Sequence, residues 1–399
     1  MRSHAPGRPA RPPSPAPARR FIPSLPTLEP WLFAPTLEPP RPALFPLDQV
    51  GHPHAQLFYL ARAGVHRTIR HWLSDRPGTV LMPAYHHGVE VEAVRAAGAD
   101  VAFYRVDAEM RIDLEDLQRA METPALRAVY LTHFVGFAQP VGAVARLCTE
   151  RGVPLFEDCA LALLSRDPEG RPLGSTGDAS VFCLYKTLPV PHGGLLLAPG
   201  VPADPDIATP PIASTLHHAA GLVLAHLELS SPTFGKAVRE AARRSAHATV
   251  DAVVDTVKTG TMHLDPHDLE LGASRMVERL LPRFDLEMVV VRRRRNFRRL
   301  ADALREHLHV YGDPLQPGVC PLFVPVRVAD KRAVMQKLHA RGIDAIDFWG
   351  TGDAACSDEQ FPEVAALRRD CLELPCHQSL DDEAIDFVAQ AVKDVLGHA

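Results

Sequence analysis

The sequence contains no cysteine pattern that would bind a metal or form a redox pair. Its seven cysteines are scattered over 399 residues, without a C-x-x-C pair or the spacing of a ligand set. An odd number of cysteines outside any disulfide framework is typical of a reducing compartment. We therefore expect a cytoplasmic protein with no metal centre.

Long apolar runs and an excess charge of one sign are also missing. No run reaches the ~20 apolar residues that a membrane-spanning helix needs. The net charge of −5 provides no global field that would attract nucleic acid or an anionic membrane. We therefore expect small molecules as partners, and neither nucleic acid nor a membrane. A length of 399 residues indicates two domains.

The N-terminus is rich in proline: 14 of the 38 prolines lie in the first 46 residues. Residues 1–20 contain five arginines and no acidic residue, but no apolar segment follows that would make a secretory signal. Such composition favours polyproline conformation or disorder. Because Trp31, Phe33 and Phe45 lie further along, we expect part of residues 21–47 to pack on the folded body. Residues 1–47 are thus interpreted as a partly disordered arm.

From about residue 55 the chain alternates between helical and strand patterns. This alternation predicts an α/β fold with a mostly parallel sheet flanked by helices, and with ligands at the carboxyl ends of the strands. We assign residues 48–270 to this large domain, and residues 271–399 to a linking helix and a small C-terminal α+β domain. The predicted helices are 56–73, 89–98, 113–121 and 140–151, and the predicted strands are 78–83, 100–104, 128–132, 154–157, 179–183 and 194–197.

Two residues at predicted strand ends indicate the chemistry. Lys186 follows the strand 179–183, and Asp158 follows the strand 154–157. A lysine there can form a Schiff base with an aldehyde cofactor, and a carboxylate can keep a pyridine nitrogen protonated. A single lysine at such a position is more often a surface residue, and a single aspartate more often caps a helix. Their order, with Gly193-Gly194 just after the lysine, favours a pyridoxal 5'-phosphate (PLP) enzyme.

Three other features have a structural interpretation as well as a functional one. His86 and His87 are adjacent and so point to different sides, which argues against a metal site. The arginines of 292–295 lie in a helical pattern, for which a solvated face is favoured over a nucleic-acid surface. His133, after the strand 128–132, is either catalytic or hydrogen-bonded beneath a cofactor.

An ordered set of motifs resembles the DegT–StrS family of fold-type-I PLP enzymes, most of which are nucleotide-sugar aminotransferases. The resemblance covers roughly residues 50–200 and returns near the C-terminus, and the whole set is more specific than any one motif. Its segments are MPAYHH (82–87), AAGA (96–99), THFVG (132–136), EDCA (157–160), GDASVFCLYKTLPVPHGG (177–194), SRM (274–276) and LPCH (374–377).

The resemblance implies roles for individual residues. Lys186 would carry the cofactor and move the proton, and Asp158 would pair with the ring nitrogen. His87 stands where the family has an aromatic residue stacked on the ring. The remaining expected cofactor-binding residues are Arg62, Ala63 and Gly64 at a phosphate-binding helix start, His133, and Cys183 in the place of a phosphate-binding serine.

The sequence also departs from the family pattern. Leu161 replaces a glutamine that usually follows the aspartate, and Ala273-Ser274 replaces an Asn-Tyr pair. Residues 347–350 (DFWG) stand where a histidine–tyrosine substrate loop often lies. These departures argue against a standard nucleotide-sugar pocket, whereas the pair Lys186 and Asp158 is retained.

The resemblance therefore implies a homodimeric, PLP-dependent aminotransferase. It would transfer an amino group from an amino acid, glutamate or glutamine, to a keto-sugar or a sugar-like ketone. Two alternatives stay open: a lyase or dehydratase on the same fold, and a non-catalytic relative that acts in binding or regulation.

Overall fold

A computed structural model describes residues 20–35, 39–203, 207–247, 263–347 and 349–397. Residues 1–19 of the predicted arm, and its predicted disorder, lie outside this range. Across the described residues, every helix is too short or too polar to pass through a lipid bilayer.

The centre of the molecule is a seven-stranded sheet in the order β1-β7-β6-β5-β4-β2-β3. The pairs among β2 to β6 are parallel, whereas β7 runs antiparallel to both β6 and β1. The predicted, mostly parallel sheet is confirmed. The strands are β1 (Ala55–Phe58), β2 (Thr79–Pro83), β3 (Asp100–Tyr104), β4 (Leu126–Thr132), β5 (Leu155–Asp158), β6 (Ala179–Cys183) and β7 (Gly194–Leu197).

Helices cover the sheet on both faces, which explains why β2, β5, β6 and β7 are buried along their whole length. Asp113 caps α3 as predicted, because its side chain accepts the backbone N–H groups of Glu115 and Asp116. The helices of this part are α1 (Ala61–Trp72), α2 (Val89–Ala96), α3 (Leu114–Ala120), α4 (Val141–Arg151), α5 (Leu184–Thr187), α6 (Ile212–Ser230) and α7 (Pro232–His247).

The predicted helix 56–73 is wrong in its first turn. Residues Ala55–Phe58 form β1, which pairs with β7 from Leu197 to Gly194, and the helix begins only at Ala61. The apolar spacing is compatible with either structure over so few residues. Pairing with a strand about 140 residues further along decides between them.

The C-terminal region has its own two-stranded antiparallel sheet of β8 (Phe323–Arg327) and β9 (Cys371–Pro375). A second apolar cluster joins this sheet to the long helix α9 and the last helix α12. The division into domains stays a prediction. The helices are α8 (Arg275–Leu280), α9 (Leu286–Leu304), α10 (Lys331–Ala340), α11 (Pro362–Asp370) and α12 (Asp382–Leu396), with 3₁₀ turns at Pro30–Phe33, Leu47–Gln49, Phe134–Gly136, Pro266–Glu270 and Leu281–Arg283.

The described part of the arm lies on the body, as expected, but not through two of the three aromatic residues on which the expectation rested. Ile22 and Leu28 are fully buried, whereas Trp31 and Phe33 are exposed. Ile22 forms a parallel β-bridge with Ile343 of the C-terminal region.

Close packing between β7 and the start of α1 requires a glycine at position 194. A Cβ atom there would lie 2.5 Å from Cα of Ala61 and 2.7 Å from the carbonyl carbon of Leu60. Both are backbone atoms and cannot rotate away. The glycine therefore fixes where α1 begins relative to the sheet.

We predict that Gly194→Ala lowers the free energy of unfolding by about 1–3 kcal/mol, because the added methyl group forces the backbone of α1 to move. The measurement is a urea titration followed by circular dichroism. Gly221→Ala is the control: it lies in α6 with nothing within 4 Å of the added Cβ. It should be neutral or stabilise by about 0.5–1 kcal/mol. Equal effects of the two substitutions would contradict this account.

Candidate active site

A cavity of about 350 Å³ lies at the carboxyl ends of the parallel strands. Both Lys186 and Asp158 line it, and so do residues from the arm and from the C-terminal region. Most of its wall is apolar, with a few polar groups that converge. The lining residues are Leu25, Leu60, Ala61, Arg62, Val65, His87, Val89, Glu90, Tyr130, Asp158, Ala160, Leu161, Val181, Cys183, Tyr185, Lys186, Phe323, Ile346, Asp347 and Trp349.

Asp158 is the last residue of β5, and its carboxylate is firmly oriented. Tyr130 donates its hydroxyl to Oδ2 at 2.7 Å, and the backbone N–H of Ala160 donates to Oδ1 at 2.8 Å. Burial, and next the nearby carboxylate of Glu90, raise the pKa of Asp158 to about 6. A buried carboxylate of this kind gains most from a cationic partner inside the cavity.

Lys186 lies in α5, the single turn that follows β6, and is half-buried. A deeply buried arginine, Arg293 of α9, fixes the position of this turn. Its guanidinium donates to the backbone oxygens of Thr187 at 3.1 Å and Lys186 at 3.4 Å. It also donates to the backbone oxygens of Pro321 and Leu322, at 3.1 and 3.0 Å.

The first turn of α1 points into the cavity. Arg62 lines the cavity, is 7% exposed, and donates to the backbone oxygen of His263 at 3.1 Å. Ala63 and Gly64 do not line it: the N–H of Ala63 bonds to Leu60, and Gly64 packs against Leu196 of β7. Residues 60–62 therefore present the helix N-terminus, with its partial positive charge, to the cavity.

His87 and Cys183, for which the resemblance implies contact with a cofactor, both line the cavity. Burial, followed by the positive charges of Lys186 and Arg62, lowers the pKa of His87 to about 4. Its imidazole is therefore neutral at physiological pH and can stack on an aromatic ring. Burial raises the pKa of Cys183, so that this residue is present as the thiol.

His133 lies at the end of β4 but does not line the cavity. Its Nε2 donates to Glu157 at 3.0 Å, and its Nδ1 accepts the backbone N–H of Gln139 at 3.1 Å. Among the residues that the structure describes, His133, Glu157 and Cys159 form the group with metal-compatible distances. The Glu157 carboxylate, however, already accepts N–H groups of the loop 174–177. This arrangement indicates a structural role.

Two residues that shape the site could not be identified from the sequence: Glu90, which lines the cavity, and Arg293, which holds the turn of Lys186 from behind. Glu90 is an acidic residue in the first turn of α2, a position that normally indicates helix capping. Its Oε1 accepts the N–H of His87 at 2.8 Å. Arg293 belongs to the run 292–295, and its burial contradicts the predicted solvated face. The four arginines thus differ in exposure, because Arg295 lies at the surface and forms an ion pair with Asp382.

Trp349 forms part of the cavity wall. It lies in the segment where the DegT–StrS family often has a substrate loop. Its φ of 61° is unusual for a large residue. Arg368 holds this backbone, since its Nη1 donates to the oxygens of Trp349 and His86 at 3.0 Å each. The same guanidinium lies over the ring of Tyr85. One arginine thus joins the turn after β2 to the segment containing Trp349.

Comparison with known proteins gives one family match. Residues 50–208 match the sequence model of the DegT/DnrJ/EryC1/StrS aminotransferase family. The chain is 28% identical over 334 residues to dTDP-4-dehydro-2,3,6-trideoxy-D-glucose 4-aminotransferase of Saccharopolyspora spinosa, a match that spans 80% of this chain and 78% of the relative. It is 29% identical over 122 residues to GDP-perosamine synthase of Vibrio cholerae, spanning 30% and 33%.

The fold has solved counterparts. A DegT DnrJ EryC1 StrS aminotransferase from Brucella abortus superposes with a TM-score of 0.59 at 18% identity, and the match covers 88% of each chain. This likeness confirms the predicted fold class, that of fold-type-I transferases with a mostly parallel sheet.

The raised pKa of Asp158 predicts how the stability of the cofactor-free chain depends on pH. The folded carboxyl has a pKa of about 6, above its ordinary value of 3.8, so the folded state binds the proton more tightly. The free energy of unfolding should therefore fall as the pH rises from about 4 to about 6, by about 3 kcal/mol, and then level off.

Asp158→Asn isolates this contribution, because the amide resembles the protonated carboxyl and does not titrate. The free energy of unfolding of the wild type minus that of Asp158→Asn should decrease from pH 4 to pH 6 and stay constant above. Urea titrations at several pH values measure it. A difference that does not change with pH would show that burial does not perturb Asp158.

Proposed function

We propose that this chain, of which residues 50–208 match the DegT/DnrJ/EryC1/StrS aminotransferase family, uses PLP to transfer an amino group from an amino acid to a keto-sugar or sugar-like ketone. The family match confirms the resemblance and the prediction of an aminotransferase. The identities of the cofactor, of the amino donor and of the keto acceptor are what we propose. The observation that carries it is that Lys186 and Asp158 line one cavity.

Three features of the cavity fit PLP. Asp158 offers a buried carboxylate to a pyridinium nitrogen, and the burial that raises its pKa to about 6 increases what this carboxylate gains from a cationic partner. The N-terminus of α1 and Arg62 offer positive charge to a phosphate. Lys186 supplies the amine. When bound, PLP would supply an aldehyde that accepts the amino group and a ring that withdraws electrons.

The residues of the chain would position the cofactor and move the proton. Asp158, held by Tyr130 and Ala160, would keep the ring nitrogen protonated. Lys186 would hold the cofactor and, once displaced, move a proton between the substrate carbon and the cofactor. His87, with a neutral ring, would cover the ring face. We do not assign a catalytic or cofactor-binding part to His133, which is engaged with Glu157.

The named relatives support the acceptor class. The Saccharopolyspora relative acts on a dTDP-linked dehydro-sugar, and the Vibrio relative makes GDP-perosamine. In this chain the C-terminal region contributes three apolar side chains to the cavity wall, Phe323, Ile346 and Trp349, beside the single carboxylate of Asp347. Such a wall suits a sugar ring with few hydroxyl groups, because a buried hydroxyl without a partner is costly. Glutamate or glutamine is the proposed donor.

Leu161 favours one alternative function. It lines the cavity where the family has a glutamine, so one polar group near the reacting atoms is replaced by an apolar one. A different proton path could make the enzyme a lyase or dehydratase. The presence of Lys186 argues against family dehydratases that replace this lysine by histidine.

The donor half-reaction tests the proposal. Loaded with PLP, the wild type should lose its visible absorbance on addition of L-glutamate as 2-oxoglutarate is released in equal amount. Lys186→Ala should slow this conversion by about 10²–10⁴-fold, because the proton-transfer group is gone. Asp158→Asn should also slow it strongly, since an amide cannot stabilise a pyridinium. Lys337→Ala, an exposed lysine of α10, is the control and should react normally.

Other outcomes distinguish the alternatives. Release of ammonia or water from substrate without conversion of the cofactor would identify a lyase or dehydratase. A wild type that binds no PLP would indicate the non-catalytic relative. Wild-type rates for Asp158→Asn would contradict the role given to this carboxylate.

A homodimer and a cytoplasmic location remain part of the proposal. For the homodimer, the support is a set of exposed apolar side chains on α6 and α7: Ile212, Leu216 and Phe234 are 75%, 53% and 58% exposed in the single chain. Burial of these side chains between two copies would remove apolar surface from water.

A further inference from the structure

The N-terminal arm contributes a side chain to the cavity that contains Lys186. Leu25 lies on the cavity wall together with Phe323, Ile346 and Trp349. It is half-buried and packs against the main apolar cluster. We propose that the arm segment 20–28 is a fixed wall of the substrate site and that Leu25 contacts the ring of the substrate and limits its size. This inference rests on the proposed function.

Backbone pairing holds the arm before Leu25. The N–H of Ile22 donates to Gly342 at 2.8 Å, and the N–H of Asp344 donates to Ile22 at 2.9 Å. Ser24 adds two hydrogen bonds to Oδ2 of Asp344, from its hydroxyl at 2.6 Å and its N–H at 3.2 Å. A side chain at Gly342 would overlap the backbone of Arg20, so the close approach requires glycine there.

Further hydrogen bonds hold the arm on both sides of Leu25. The buried His377 donates from Nε2 to the carbonyl of Pro23 at 2.9 Å. After Leu25, the N–H of Thr27 donates to Ser379 at 3.1 Å, and Leu28 is completely buried. Leu25 is therefore fixed between anchored residues and cannot swing away without breaking several hydrogen bonds.

The anchors connect the arm to the rest of the wall. Residues 342–344, which pair with the arm, lead directly to Ile346, Asp347 and Trp349, which line the cavity. The arm and this segment thus form one surface on the substrate side. Lys186 and Asp158 belong to the sheet side of the same cavity. A residue on the substrate side should affect the substrate and leave the cofactor unaffected.

Binding of two stable ligands to the cofactor-free chain tests this separation. Pyridoxamine phosphate carries the cofactor part alone. Its N-cyclohexyl derivative, the reduced adduct of PLP with cyclohexylamine, adds a six-membered ring of the size of a sugar ring. Isothermal titration calorimetry gives the dissociation constant of each, without any requirement for turnover.

Leu25→Trp should weaken the cyclohexyl adduct by about tenfold or more, because the larger side chain occupies space that the ring needs. It should change the affinity for pyridoxamine phosphate by less than about twofold, since Leu25 is not among the residues proposed to hold the cofactor. Leu32→Trp is the matched control: Leu32 is an arm leucine of similar exposure that faces a different cavity. It should alter neither affinity.

Leu25→Ala serves as the second variant if the tryptophan disturbs folding. It should weaken the adduct by about fivefold through loss of apolar contact, again with pyridoxamine phosphate unchanged. Equal changes for both ligands, or no change for either, would overturn the inference while leaving the proposed function intact. A wild type that fails to bind pyridoxamine phosphate would overturn the proposed function, and the inference with it.

Discussion

One buried guanidinium, that of Arg293, joins the turn that carries Lys186 to the C-terminal part of the chain. It is 1% exposed and has no carboxylate partner among its hydrogen bonds in the described structure; these go to four backbone oxygens and the side chain of Gln378. Such a charge is costly to bury unless its N–H groups are satisfied. The turn and residues 321–322 are therefore held together, and the position of Lys186 depends on residues far outside the sheet.

The cavity contains groups whose charges suit a ligand with an anionic end and a cationic ring. Burial, and next the carboxylate of Glu90, keep the pKa of Asp158 high. Burial, followed by the positive charges of Lys186 and Arg62, lowers the pKa of His87. The charged form of each group has a lower free energy when an opposite charge lies nearby. The electrostatic cost of the cavity would thus be offset by binding, which is a common feature of functional sites.

The sheet and the pair Lys186–Asp158 could be predicted because parallel strands end at one edge, so residues after separate strands meet there. Other features depend on contacts that no local pattern contains. The strand at 55–58 forms through pairing with β7. Arg293 is buried because α9 turns that side toward the chain after Lys186, whereas four consecutive arginines resemble a solvated face. Leu25 lies at the cavity because its neighbour Ser24 is hydrogen-bonded to Asp344, 320 residues further along the chain.

The central claim is that Lys186 carries PLP in the cavity that Asp158 lines. Borohydride reduction of the PLP-loaded protein, followed by mass spectrometry of its peptides, tests it most directly. The account predicts that the phosphopyridoxyl group is found on Lys186 and nowhere else. A group attached to a different lysine, or a protein that takes up none, would contradict it.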